Sequence, residues 1–583
     1  MSRGLERRAV HFGAFRLEPD GRLLREATSV PIAPKEVALL RLLIGAEGRV
    51  VPKQEILDRL WPGEEVAEAS LTSCVHGIRL ALGDRGRRGR YLETVHGRGY
   101  RFTAAVRWGE DRAQDASRTR VAVAPFTAEA EDDAYLAHGL AAEVTSRLAR
   151  WHDDGIDAIA HQPTASRAAS GLDALRLAKE RQAAFLVLGH VRPGGRETLV
   201  RAELVRVHDE VVVWSEEIVK PPSATASVAA DIAEAVAKRL VDLRGSAFTS
   251  RSTPPTAQDP RSYHALLRGQ FLNQLRTEIG LRRSIVCFEQ ALGWDPGCAA
   301  IHTALAEAHL NLAWRGFEPP REMASKALAS ITRALDLEGR NAAALALLAF
   351  LRVTIDLDAR SAEDALVASA TGSESDRVSW LRANAFVAMG RFDAALATVE
   401  AALEVNPFSP NLAVSRVLAL WCGGHDDEAL RAARALVAAE PEFPSGHAIR
   451  SCVAGTMGLS GESLRAAEAA DGLARGDQLT RSACAWAFAR AGRADAAWTI
   501  LTTLERRGAH RYVSPTCVAV GYAGLGDADR ALEWLARARE LRCMWLPFAA
   551  VDPRFALLRE RAAFRAATAW TAPPARPPAA RPG

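Results

Sequence analysis

The chain has 583 residues, 48% hydrophobic and 25% charged. It can therefore bury real cores, which excludes a disordered or collagen-like polymer, and at roughly 150 residues per domain it has room for three or four. Its net charge of +4 is uneven: residues 1–107 carry 19 Lys/Arg against 13 Asp/Glu, and the rest carry 55 against 57, so a polyanion would meet the first segment.

That segment opens with Phe12-Gly-Ala-Phe-Arg-Leu-Glu-Pro and Gly21-Arg-Leu-Leu-Arg, which alternate as short antiparallel strands do. Pro34 suits the start of a first helix. A second helix is predicted over 52–60, stopped at Trp61-Pro62, and a third over 69–83, ending at Gly83. At about 100° per residue, Leu71, Val75, Ile78 and Leu82 make one inward stripe on the third helix. Thr72, Ser73, His76, Gly77, Arg79 and Leu80 are then turned the other way, and they include donors suited to base edges and phosphates. After the basic loop Asp84-Arg-Gly-Arg-Arg-Gly-Arg90, the stretch Tyr91-Leu-Glu-Thr-Val-His-Gly-Arg-Gly-Tyr-Arg-Phe102 reads as two strands flanking Gly97-Arg98-Gly99. Arg98 falls at the hairpin tip. Three helices and a basic hairpin make a winged helix.

The pattern SLTSCVHGIRLALGD…YLETVHGRGYRF resembles the OmpR/PhoB-type winged-helix DNA-binding domain over nearly all of residues 10–104. The resemblance implies transcription control, with the third helix in the major groove and the wing in the adjacent minor groove. Carried over position by position, it implies groove-facing roles for Thr72, Ser73, His76 and Gly77. Phosphate or wing contacts fall to Arg79, Thr94, His96, Arg98 and Arg101. Gly77 departs from the pattern, because many response regulators place a long basic side chain there, and this shifts readout toward the wing. Residues 62–68 (PGEEVAE) fall where the family is similar to a polymerase-contacting loop, which implies RNA polymerase as a partner, although any solvated loop is as acidic. The family also implies two copies on tandem half-sites, roughly one DNA turn apart. The phosphorelay-type receiver domain and the membrane helix of CadC/ToxR-like relatives are both missing, so the expectation is a soluble one-component regulator.

Polar or Ser/Thr/Pro-rich breaks divide the chain into a winged helix at 8–106, a linker at 107–119, a second domain at 120–245, a linker at 246–260, a third domain at 261–570 and a disordered tail at 571–583. The second domain reads as a strand at 121–126, a helix at 134–150, a strand at 156–160 and a helix at 172–182. Strands at 185–191, 198–207 and 211–217 and a helix at 224–243 follow, an order that implies an α/β layer fold. AVAPF, YLAHGLAAEVTSRLAR, AAFLVLGHVRPGG and VVVWSEEI resemble the TolB N-terminal-like domain over about 120 residues, which implies a fold more than a function.

The third domain repeats. Gly390, Gly424, Gly458, Gly492 and Gly526 recur every 34 residues. Five residues after each comes a small residue (Ala395, Ala429, Ser463, Ala497, Ala531). Nine after come Val399, Ala433, Ala467, Leu501 and Leu535, and four before come Phe386, Leu420, Ala454, Phe488 and Tyr522. Glycine permits a turn, the small residue lets two helices approach, and the larger apolar residues fill the seam. This resembles the tetratricopeptide repeat, with Pro407 and Pro441 where that family closes its second helix and irregular copies upstream around Phe288, Ala291 and Ala327. Such a solenoid presents a binding surface for a protein or peptide.

The fold class is therefore a multidomain α+β chain: N-terminal winged helix-turn-helix, central α/β domain, C-terminal all-α solenoid. The longest apolar run is Ala342–Leu351, against roughly 20 residues for a membrane helix. With no signal-peptide stretch, no CxxC pair and eight scattered cysteines, a cytoplasmic, membrane-free protein is expected. His152-Asp153-Asp154, His208-Asp209-Glu210 and Asp356-Leu-Asp358 lack metal-site spacing, and no Walker A or GxSxG motif occurs. No metal, cofactor or catalytic residue is expected. The leading reading is a sequence-specific DNA-binding transcriptional regulator controlled through the second and third domains. The alternative is a repeat scaffold whose winged helix binds DNA non-specifically or is vestigial.

Overall fold

The computed structural model describes residues 10–570 apart from 13–14, 18–21, 26–27, 31, 47, 61–67, 85–90, 96, 105, 109–117, 153, 161–170, 181, 195, 245–247, 251–256, 258, 371–374, 407–408 and 475. The chain forms two compact units, residues 1–118 and 119–583.

In the first unit, short strands β1 (Val10–Phe12), β2 (Phe15–Leu17), β3 (Leu23–Arg25) and β4 (Thr28–Val30) pair antiparallel in sequence. Helices α1 (Pro34–Ile44), α2 (Lys53–Leu60) and α3 (Glu68–Leu82) follow. Strands β6 (Leu92–Val95) and β7 (Gly99–Phe102) form the wing, and β5 (Val51–Pro52) pairs with β7. Strand β8 (Val106–Trp108) then pairs with β1, so the domain runs past the boundary expected from composition. Phe12 stacks on Phe15, and both meet Tyr91 edge-on, as Phe12 meets Phe102, with centroids 5.1–5.9 Å apart, which joins the sheet to the wing. Burying each ring contributes about 1.5–3 kcal/mol.

The second unit begins with a mixed sheet. Strands β9 (Thr119–Val123), β11 (Ile156–Ala160) and β12 (Phe185–Pro193) are parallel. Strands β13 (Thr198–Arg206) and β14 (Val211–Lys220) extend β12 as an antiparallel meander, and the two-residue β10 (Thr127–Ala128) also pairs with β12. Helices α4 (Ala134–Leu148), α5 (Gly171–Glu180) and α6 (Thr225–Leu243) complete the expected α/β layers.

The stretch read as a second linker is in part packed structure. Phe248 stacks on Trp151 at 6.3 Å, the Trp151 indole N–H donates to the Thr249 carbonyl at 3.2 Å, and Ala257 is buried. The sheet, α4, α6 and the first repeat helices share one continuous core. At that junction Tyr263 donates to Glu143, which is ion-paired to Arg147 at 2.6 Å.

The repeats are helical hairpins: α7 (Pro260–Gln274) with α8 (Glu278–Trp294), α9 (Ala299–Trp314) with α10 (Pro320–Leu337), and α11 (Ala342–Leu351) with α12 (Ala359–Ala368). Next come α13 (Asp376–Ala388) with α14 (Phe392–Val405), α15 (Pro410–Cys422) with α16 (Asp426–Ala439), and α17 (Pro444–Thr456) with α18 (Ser460–Leu473). The regular pairs end with α19 (Gln478–Arg490) and α20 (Ala494–Gly508), then α21 (Pro515–Leu525) and α22 (Ala528–Glu540).

All five 34-residue glycines sit at φ of 71° to 83°, a left-handed turn that a Cβ would strain. The small residues five positions on are all buried, as are the apolar residues nine positions on. Pro407 lies outside the described residues. The solenoid closes on itself: Arg511 pairs with Glu278 at 3.2 Å, and the Trp545 indole donates to the Trp314 carbonyl at 2.9 Å.

The motifs resembling metal clusters have other duties. Asp358 caps α12 through Ser361, Asp356 pairs with Arg352 at 2.7 Å, and His152 contacts Asp157 at 2.9 Å. Among the described residues, no helix is long and apolar enough to cross a membrane.

Candidate nucleic-acid interface

Helix α3 is built as its periodicity requires. Leu71, Val75, Ile78 and Leu82 are buried against the domain core, and Thr72, Ser73 and His76 lie exposed on the opposite side. Leu80 shares that side and is 77% exposed. Sequence reasoning placed Leu80 there and gave it no role. An apolar side chain standing free on a row of polar ones is the available signal.

Gly77 is set differently from the expectation that it faces the groove. A Cβ there would fall on the Glu36 carboxylate of α1, whose Oε2 accepts from the Ala33 backbone N–H at 2.9 Å. Position 77 points at α1, and its glycine makes room for that helix cap. Cys74 is half-buried at the margin of the stripe, and burial raises its thiol pKa.

The wing is fixed to α3 by two polar anchors. Arg79 donates to Thr94 Oγ1 at 2.8 Å and to the Leu92 carbonyl at 3.1 Å. Buried Asp84, just past the helix, accepts the Tyr91 and Leu92 backbone N–H groups, each at 2.9 Å. Arg79 and Thr94 thus spend hydrogen bonds on each other, and Asp84 is a structural residue the sequence reading did not single out. Arg101 is likewise engaged, paired across the hairpin with Glu93 at 2.5 Å.

Arg98 is exposed at the turn between β6 and β7, and among the described residues no carboxylate pairs with it. Close approach fixes the hairpin, since a Cβ on Gly99 would lie 2.0 Å from the Val51 carbonyl oxygen. His96, the basic loop 85–90 and the acidic loop 61–67 lie outside the described residues.

Residues 27–102 match the family model described as transcriptional regulatory protein, C terminal. The first unit carries an OmpR/PhoB-type winged helix. Residues 117–235 match the second domain of HilA/YgeH-like transcriptional regulators, and it is this domain, not the TolB one, that the match names for the central sheet. The chain is 28% identical over 430 residues to the transcriptional regulator HilA of Salmonella typhi, covering 72% of this chain and 74% of that protein. The transcriptional regulatory protein QseB of Escherichia coli O157:H7 is 36% identical over 93 residues, 16% of this chain and 40% of that one. The chain is a DNA-binding transcriptional regulator.

Among solved structures, the human IFIT1 dimer with PPP-AAAA is similar at 16% identity and a TM-score of 0.36, over 53% of this chain and 78% of that one. The tetratricopeptide-repeat protein TTC0263 of Thermus thermophilus is similar at 21% identity and a TM-score of 0.24, over 39% and 98%.

Proposed function

We propose that the protein is a cytoplasmic, one-component regulator that recognises a specific DNA sequence, performs no catalysis and is controlled through its second unit. The observation that carries this reading is the exposed row Thr72, Ser73 and His76 on α3, beside an exposed arginine at the wing tip. In this reading the helix enters the major groove, its polar row meets base edges and phosphates, and Leu80 offers an apolar contact to a thymine methyl. Arg98 enters the adjacent minor groove. Arg79 and Thr94 hold the wing at the angle that lets both elements reach DNA together. Arg101 and His96 serve the wing and the phosphates, and Gly77 serves the packing of α1 on α3. Two copies bind tandem half-sites roughly one helical turn apart. RNA polymerase meets the loop that precedes α3, and the repeats hold a protein partner.

The test is selection of genomic fragments by the purified full-length protein and by its Arg98→Ala variant. Enrichment of a few promoter fragments by the native protein, reduced in the variant, is expected. Equal recovery of all fragments by both proteins would leave a non-specific DNA binder.

A further inference from the structure

Inside the solenoid, arginines from three repeats converge. Arg276 follows α7, Arg315 follows α9 and Arg377 lies in α13. Arg377 pairs with Glu307 at 3.1 Å and Arg315 with Asp477 at 3.4 Å. Arg276 has no carboxylate within 4.0 Å among the described residues. Its guanidinium donates to Asn411 Oδ1 at 2.9 Å, a neutral partner from α15. Asn273 and Asn311 continue the polar lining, bonded to each other at 3.1 Å and to Glu307.

The buried guanidinium of Arg276 is costly without a further partner. Burial, together with the neighbouring charges of Arg315 and Arg377, pushes its guanidinium down to about 9. Its backbone is left-handed at φ 54°, which costs a residue with a Cβ about 1–2 kcal/mol. A buried guanidinium whose direct side-chain partner is neutral is a candidate binding group.

We propose that Arg276, Arg315 and Arg377 form a receptor site for a small organic monocarboxylate. Three guanidinium groups face two carboxylates, so one further negative charge balances the cluster, and a dianion would overshoot beside Glu307 and Asp477. The planar fork of a guanidinium matches the two oxygens of a carboxylate. This site is independent of the DNA reading, because it lies within the second unit and is assayed without DNA.

The test is thermal unfolding of the full chain with acetate, inorganic phosphate or chloride at equal ionic strength. For the native protein and for Arg434→Gln, a distant ion-pair control, acetate is expected to raise the unfolding temperature saturably, by about 2 °C or more relative to chloride. In Arg276→Gln the rise should vanish, while its unfolding temperature in chloride stays at or above the native value, since an uncompensated charge has been removed. Four results would overturn the proposal: acetate matching chloride on the native protein, a rise retained in Arg276→Gln, a larger rise with phosphate than with acetate, or an Arg276→Gln protein less stable than the native in chloride, which would make the guanidinium a structural tie.

Discussion

At the level of single side chains, Arg98 and Leu80 separate affinity from readout. Arg98 stands exposed at the wing tip, so Arg98→Ala is expected to cost about 1–3 kcal/mol of DNA binding at fixed salt. An unchanged dissociation constant would remove the wing from the interface. Leu80 is 77% exposed on the polar face of α3, and an apolar group there has little to gain except from another apolar group. On a selected duplex, replacing the contacted thymine by uracil should cost native protein about 1 kcal/mol, and Leu80→Ala should lose that discrimination. Equal sensitivity of both proteins to the replacement would place Leu80 elsewhere.

Between elements, the Arg79–Thr94 bond ties α3 to the wing. Arg79→Ala and Thr94→Val, combined in a double-mutant cycle on stability, should show a coupling of about 0.5–1.5 kcal/mol; additive effects would mean the two elements move separately. The repeat turns offer a cleaner conformational test. Gly424 has φ 83° and nothing within 4 Å of where a Cβ would stand, so Gly424→Ala should cost about 1–2 kcal/mol from backbone strain alone. Gly297, in an ordinary conformation with similar free space, should tolerate alanine without loss. Urea midpoints of the two variants decide this. What was legible in the sequence was local. The stripe Leu71, Val75, Ile78 and Leu82 and the 34-residue glycines encode their burial and φ within a few residues. The direction of Gly77 was not legible, because it depends on where α1 lays Glu36. Nor was the engagement of Arg79, whose partner lies 15 residues away in another element.

For the whole molecule, the same distinction holds at longer range. The linker reading of 246–260 rested on composition, and composition could not show Trp151 reaching Thr249 98 residues on. The arginine cluster likewise joins α7, α9, α13, α15 and the cap of α19, and no periodicity in the chain marks those five positions as neighbours. The charge asymmetry, by contrast, was visible at once, and it falls on the unit that carries the winged helix. The central claim, that α3 and the wing occupy adjacent grooves of a specific site, is most directly tested by methylation interference on a selected promoter fragment. Guanine N7 lies in the major groove and adenine N3 in the minor groove. The expected result is interference at guanines in two half-sites roughly one helical turn apart, flanked by adenine interference that disappears with Arg98→Ala. Uniform binding to methylated and unmethylated DNA would contradict groove-specific recognition.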